Sequence, residues 1–191
     1  MSKLQGMPNF AFRMMSLMHD NILLWIFRNP YKLLKAAGLK PAQRVLEVGC
    51  GPGFFTIPAA KIVGEKGIIY ALDIHPLAIK RVQKKIRTER VGNVQTVLAD
   101  ATQTGLPDKS IDVAFLFGFV HHAKALESIL LELRRVLKPD GMLSIEKTPW
   151  LSYKKLVEAL ERNEFTHLSR DGRILLFTKR NNVSEAMANR D

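Results

Sequence analysis

The chain has 191 residues, 47% of them hydrophobic, which is the length and composition of one domain with a sizeable core. Its single cysteine, Cys50, excludes an intramolecular disulfide and leaves no thiolate partner for a zinc centre, so no metal is expected. The formal charge of +11 favours anionic partners such as nucleic acid or lipid headgroups, but the basic residues are spread along the chain.

Residues 1–29 are unusually apolar, with clusters at 10–18 and 22–27. The second run is far short of the ~20 residues that span a bilayer, and the order of charges fits no cleavable signal peptide, so a cytoplasmic chain is expected. Three readings remain open for this segment. It is a helical lid over the site, a membrane-surface helix with Arg13, Arg28 and Lys32 near headgroups, or simple core packing, in which Met14, Met15 and Met18 fill gaps.

Pro30 opens a short helix over residues 31–37, stopped by Gly38. Val45, Leu46 and Val48 then suit a buried parallel strand, and they run into Gly49-Cys50-Gly51-Pro52-Gly53. Glycines at alternate positions allow positive φ and close backbone approach where a strand turns into a helix, here expected over 54–63. Dinucleotide binders carry G-x-G-x-x-G, whereas this chain reads G-x-G-x-G, with Phe54 in place of the third glycine.

A second strand, residues 68–72, ends in Asp73. In doubly wound folds an acid at this tip accepts from the two hydroxyls of a ribose, so the ligand is expected to contain a nucleoside. A basic helix covers 76–90, with Ile79, Val82 and Ile86 on one face and its Lys and Arg residues on the solvated side. Strands at 94–98 and 111–117 end in Ala99-Asp100 and Gly118. Polar or glycine residues at every tip mark the edge where open α/β sheets bind ligands.

The Gly118-Phe119-Val120-His121-His122 loop precedes a helix over 123–137. A histidine near a helix N-terminus is held neutral by the dipole and can accept a proton, so His121 and His122 are candidate general bases; the alternative is that they cap the helix. A helix over 152–161 follows, and then strands at 165–169 and 173–178 flank Asp171-Gly172, a hairpin signal. Residues 181–191 read as a frayed polar tail. Strand–helix alternation gives a Rossmann-like, doubly wound, mostly parallel sheet with right-handed crossovers.

Four motifs, in order and spacing, make the chain resemble the class I S-adenosylmethionine-dependent methyltransferases over residues 30–180. They are Glu47-Val-Gly-Cys-Gly-Pro-Gly53, Ala71-Leu-Asp-Ile-His75, Leu98-Ala-Asp-Ala101 and Leu133-Arg-Arg-Val-Leu-Lys-Pro-Asp-Gly-Met-Leu143. Within that family it is most similar to small-molecule enzymes such as the quinone-biosynthesis C-methyltransferases. The resemblance implies a seven-stranded sheet with an antiparallel C-terminal hairpin and S-adenosyl-L-methionine as cofactor. It also implies roles. The backbone of Gly49, Gly51 and Gly53 lies along the methionine part, Glu47 orients that loop and the amino group, Asp73 holds the ribose hydroxyls and Ile74 packs on the adenine. Asp100 and the Ala101 N–H reach the base, and the Phe117 and Gly118 backbone approaches the ammonium.

The family often has Asp or Glu-Gly where this chain reads Ile145-Glu146-Lys147, and no chemistry is assigned to that tip. Asn29-Pro30-Tyr31 is similar to the Asn/Asp-Pro-Pro-Tyr motif of base amino methyltransferases but precedes the first strand rather than following the fourth. The expected acceptor is therefore a small apolar or aromatic molecule. An RNA or protein substrate, and a non-enzymatic cofactor-binding module, are the alternatives.

Overall fold

The computed structural model describes residues 8–10, 12, 28–118, 123–147 and 152–180. In chain order these form α1 (Pro30–Ala36), β1 (Arg44–Val48), α2 (Thr56–Val63), β2 (Ile68–Asp73), α3 (Pro76–Glu89), β3 (Val94–Leu98), β4 (Ile111–Leu116), α4 (Ala123–Val136), β5 (Leu137–Glu146), α5 (Tyr153–Arg162), β6 (Phe165–Asp171) and β7 (Ile174–Lys179). The strands make one sheet in the order β3-β2-β1-β4-β5-β7-β6, parallel except for β7, which runs antiparallel to both β5 and β6. This is the expected doubly wound architecture with its C-terminal hairpin.

Both faces of the sheet are covered, so neighbouring residues on one strand enter different cores. Val45, Ile69, Val113 and Phe115 pack with α1 and α2, and Ala71 packs with Ile79 and Val82 of α3. Leu46, Leu72, Ala114 and Leu116 face α4 and α5, meeting Leu130, Leu133 and Leu160. Helix starts follow local chemistry: Asn29 caps α1 by accepting from Lys32 N at 3.1 Å, with Pro30 at the first helical position. That explains the Asn-Pro-Tyr tripeptide as a helix start.

Most boundaries shift by one or two residues from the sequence expectation, and two of the shifts have a tertiary cause. Phe54 and Phe55 belong to the turn, and α2 starts at Thr56, because both rings are buried in an aromatic cluster with Phe115 and Phe117. Leu137 opens β5 directly after α4; its pairing with Ile111 is interrupted by an irregularity before Val113 meets Met142. No described helix is long and apolar enough to cross a membrane. Of residues 1–29, read as a lid, 1–7, 11 and 13–27 lie outside the described residues, as do residues 181–191, read as a frayed tail.

Candidate functional site

The glycine loop leaves β1 with Gly49 and Cys50 N–H groups donating to Leu72 O at 2.8 and 2.9 Å, which ties it across the tip of β2. Gly49, Gly51 and Gly53 have φ of 74°, 51° and 79°. The Gly51 N–H donates to Asp73 Oδ2 at 2.8 Å. At Gly53 a Cβ would lie 3.1 Å from Val82 Cγ2, so this glycine lets the loop close against α3.

Asp73 accepts a second backbone bond, from His75 N to Oδ1 at 2.8 Å. Burial pushes its carboxyl above the usual range, and the His75 and Gly51 N–H groups pull it partly back. One N–H on each oxygen fixes the carboxylate plane yet leaves lone pairs for further donors. Ile74, beside it, is half-buried. His75 Nδ1 accepts from Leu77 N at 3.1 Å and so caps α3, and its ring stacks on Phe12 at 4.5 Å between centroids. Phe12 is only 3% exposed, whereas Phe10, two residues back, is 76% exposed.

Glu47 is buried under the loop and accepts from Thr56 Oγ1 at 2.6 Å. Burial pushes its pKa up to about 8, against the lowering effect of that hydrogen bond. Burial also pushes the Cys50 thiol well above its ordinary value, so it stays protonated and serves packing. At the β3 tip, Asp100 Oδ1 accepts from Thr102 N and Thr102 Oγ1, each at 2.8 Å, which sets the turn that places the buried Ala101. Phe117 is buried in the aromatic cluster, and Gly118 has φ of 73° with open space where a Cβ would point.

The structure thus brings Glu47, the glycine loop, Asp73, Ile74, Asp100, Ala101, Phe117 and Gly118 to one edge of the sheet. Three carboxyl groups collect there in a chain whose net charge is +11. Such a set suits a ligand that brings hydroxyl and amine donors and positive charge. His121 and His122 lie outside the described residues. Among the described residues, no group of His, Cys, Asp or Glu is placed to hold a metal ion.

Three features of this edge are not evident in the sequence. Thr56 holds Glu47, and Phe12 covers His75. Glu146, at the β5 tip, is 3% exposed and forms an ion pair with Arg28, whose guanidinium also lies 5.0 Å from the Phe55 ring centroid. A strand-to-helix polar pair nine residues apart gives some hint of Thr56 and Glu47. Nothing local relates Arg28 to a partner 118 positions away.

A methyltransferase domain profile matches residues 46–145, the stretch from β1 to the end of β5. The chain belongs to the methyltransferase domain family. The domain is 34% identical over 113 residues to a ubiquinone/menaquinone biosynthesis C-methyltransferase of Vibrio vulnificus, covering 59% of this chain and 44% of that protein. It is 29% identical over 110 residues to a demethylmenaquinone methyltransferase of Geobacillus kaustophilus, covering 58% and 47%. The domain therefore spans about half the length of these curated relatives. A crystal structure of an S-adenosylmethionine-dependent methyltransferase from Aquifex aeolicus superposes with a TM-score of 0.76 at 27% identity, covering 85% of this chain and 94% of that one.

Proposed function

We propose that this methyltransferase domain transfers a methyl group from S-adenosyl-L-methionine to a small, apolar or aromatic, quinone-like acceptor. The observation that carries the reading is the Asp73 carboxylate, held between the Gly51 and His75 N–H groups beside the glycine loop. Its remaining lone pairs fit ribose hydroxyls. Ile74 would pack on the adenine, Asp100 and the Ala101 N–H would take the base edge, and Gly49, Gly51, Gly53, Phe117 and Gly118 would line the methionine part. Glu47 would face the amino group through the loop. The names of the quinone methyltransferase relatives support the acceptor class, and the likeness to the Aquifex aeolicus structure supports the cofactor.

When bound, the cofactor supplies an electrophilic methyl group on a positively charged sulfur. The chain's own task is then to align the acceptor for an in-line displacement and to exclude water. Two contacts support a covering role for the N-terminal segment: Phe12 seated on His75 at the β2 tip, and Arg28 paired with Glu146 at the β5 tip. In the sheet order these tips flank β1 and β4, the two strands that carry the glycine loop and Gly118. His121 or His122 would accept a proton where the acceptor carries one.

The test is transfer of a labelled methyl group to a demethylated naphthoquinol and, in parallel, to fractionated cell extract, with products identified by mass. Label in a small aromatic product is the expected result. Label confined to RNA or protein would overturn the acceptor class, and cofactor binding without transfer to any fraction would overturn the enzyme reading.

A further inference from the structure

We infer that Arg28 binds the methyl acceptor: its guanidinium donates to a ring oxygen, a hydroxyl or carbonyl on an uncharged aromatic molecule, and Glu146 behind it keeps anionic molecules out. This role rests on the acceptor reading above and adds to it the group by which the acceptor is held.

The sequence assigns no chemistry to the β5 tip, but the fold places a charge pair there. Leu116 of β4 pairs with Ile145 of β5, so Phe117 and Glu146 follow side by side at the strand ends, next to Gly118, where a Cβ would point into open space. The Arg28 guanidinium forms an ion pair with Glu146 and lies 5.0 Å from the Phe55 ring centroid and 6.0 Å from that of Phe54. These two rings follow directly on Gly53 of the glycine loop, and Phe55 meets Phe117 edge-on at 5.0 Å. Arg28 thus stands on the aromatic cluster that joins the glycine loop to the β4 tip, the two features assigned above to the methionine part of the cofactor.

The fold does not require charges at this point. Apolar residues of similar volume at a buried position are often as stable as an ion pair or more so, because two desolvated charges must first repay the loss of water. What the pair supplies is donors. A guanidinium has five N–H groups, and among the described residues only Glu146 accepts from it, at Nη2. The carboxylate side chain is sealed, at 3% exposed, whereas the arginine side chain is 22% exposed. Glu146 therefore orients the cation from behind, and the fork keeps donors for a ligand.

The countercharge also sets the class of ligand. A lone arginine would draw phosphates and carboxylates, but Arg28 and Glu146 together carry no net charge, and a bound anion would meet the Glu146 carboxylate just beyond the guanidinium. An uncharged oxygen that accepts a hydrogen bond meets no such penalty. Quinol and quinone rings carry oxygens of this kind, and holding one fixes which ring carbon is presented for methylation.

The test uses the full chain saturated with S-adenosylhomocysteine and titrated by fluorescence with naphthol, methylnaphthalene and naphthoate, all substituted at the same ring position. Wild type should bind naphthol at least about tenfold more tightly than either of the others. The Arg28→Met, Glu146→Leu double variant leaves no buried charge unpaired; it should lose the preference for naphthol over methylnaphthalene and keep its affinity for S-adenosylhomocysteine. Glu146→Gln alone should keep that preference and gain at least about tenfold in naphthoate affinity, a change that a purely structural ion pair would not produce. It also decides the matter if the double variant misfolds. Wild type without the naphthol preference, a folded double variant that retains it, or Glu146→Gln with unchanged naphthoate affinity would each overturn the inference. These titrations need no turnover. Their failure while label still passes to a naphthoquinol removes only the role of Arg28, whereas the absence of label from every small aromatic product removes the acceptor reading and this inference with it.

Discussion

Asp73 is oriented before any ligand arrives, because each carboxylate oxygen already accepts one backbone N–H. Removing it in Asp73→Ala should delete charge-assisted hydrogen bonds of about 1.5–3 kcal/mol, lowering cofactor affinity roughly 10- to 150-fold by calorimetry. Unchanged affinity would reject the ribose assignment. Glu47 gives a pH signature. With its pKa raised to about 8, the free domain holds Glu47 protonated at neutral pH, and a nearby cofactor ammonium would favour the ionised form. Binding should therefore release a proton and tighten as pH rises toward 8, then level off, and Glu47→Gln should abolish that slope. For the histidines, loss of a true general base should lower turnover by about 10²–10⁴-fold with cofactor affinity kept. His121→Ala and His122→Ala should then differ, since adjacent side chains point different ways. Full activity in both would leave only the capping reading.

The connection from β3 to β4 is fixed to α4 by one carboxylate. Glu132 Oε1 accepts from Thr104 N and Thr104 Oγ1 at 2.8 and 2.7 Å, and Arg135 of the next turn grips both Glu132 oxygens while also reaching Asp108 and Leu106 O. The Arg135 hydrogen bonds lead the effect that holds the Glu132 pKa down at about 2, with burial opposing them. A carboxyl whose folded pKa lies below its unfolded value stabilises the fold above the unfolded pKa and loses that contribution as pH falls. The window here runs from about 4.5 down to about 2. The full shift corresponds to about 3 kcal/mol, but Arg135 is more than a third exposed, and screening reduces the expected contribution to about 1–2 kcal/mol. Glu132→Ala should lower stability to urea by that amount at pH 7 and should flatten the acid limb between those pH values. An unaltered acid limb would show that the network contributes nothing to stability.

Across the whole domain, the N-terminal segment contributes in two separable ways. Arg28 compensates a buried charge: without it Glu146 is left unpaired at 3% exposure, which costs about 3–5 kcal/mol for a buried pair broken on one side. Residues before Arg28 touch the described core through Phe12 on His75. Deleting residues 1–27 should therefore leave a folded, cofactor-binding domain with a raised acceptor KM, whereas Arg28→Ala in the full chain should lower the urea midpoint strongly. A truncated chain with unaltered acceptor KM would remove the covering role, and an Arg28→Ala variant of wild-type stability would remove the ion pair from the account.

The sheet, the helices and the cofactor edge were legible in the sequence because each rests on chemistry carried by neighbouring residues. Apolar runs of strand length, a loop whose glycines take φ of 51–79° without a Cβ penalty and an acid ending β2 are local requirements of a parallel sheet with a ligand at its strand tips. The element boundaries at Phe54 and Leu137 were not, since aromatic burial and strand pairing with distant residues moved them. Tertiary structure alone decided which carboxylates are alike in sequence but different in use: Glu47 buried against Thr56, Glu132 gripped by Arg135, Glu146 neutralised by Arg28. The basic residues of α3 keep the solvated face that their spacing predicts, and the tertiary structure adds the Lys61–Glu89 pair between α2 and α3. A charge acquires its energy from the desolvation and the partners around it, and those come from chain segments far away in sequence.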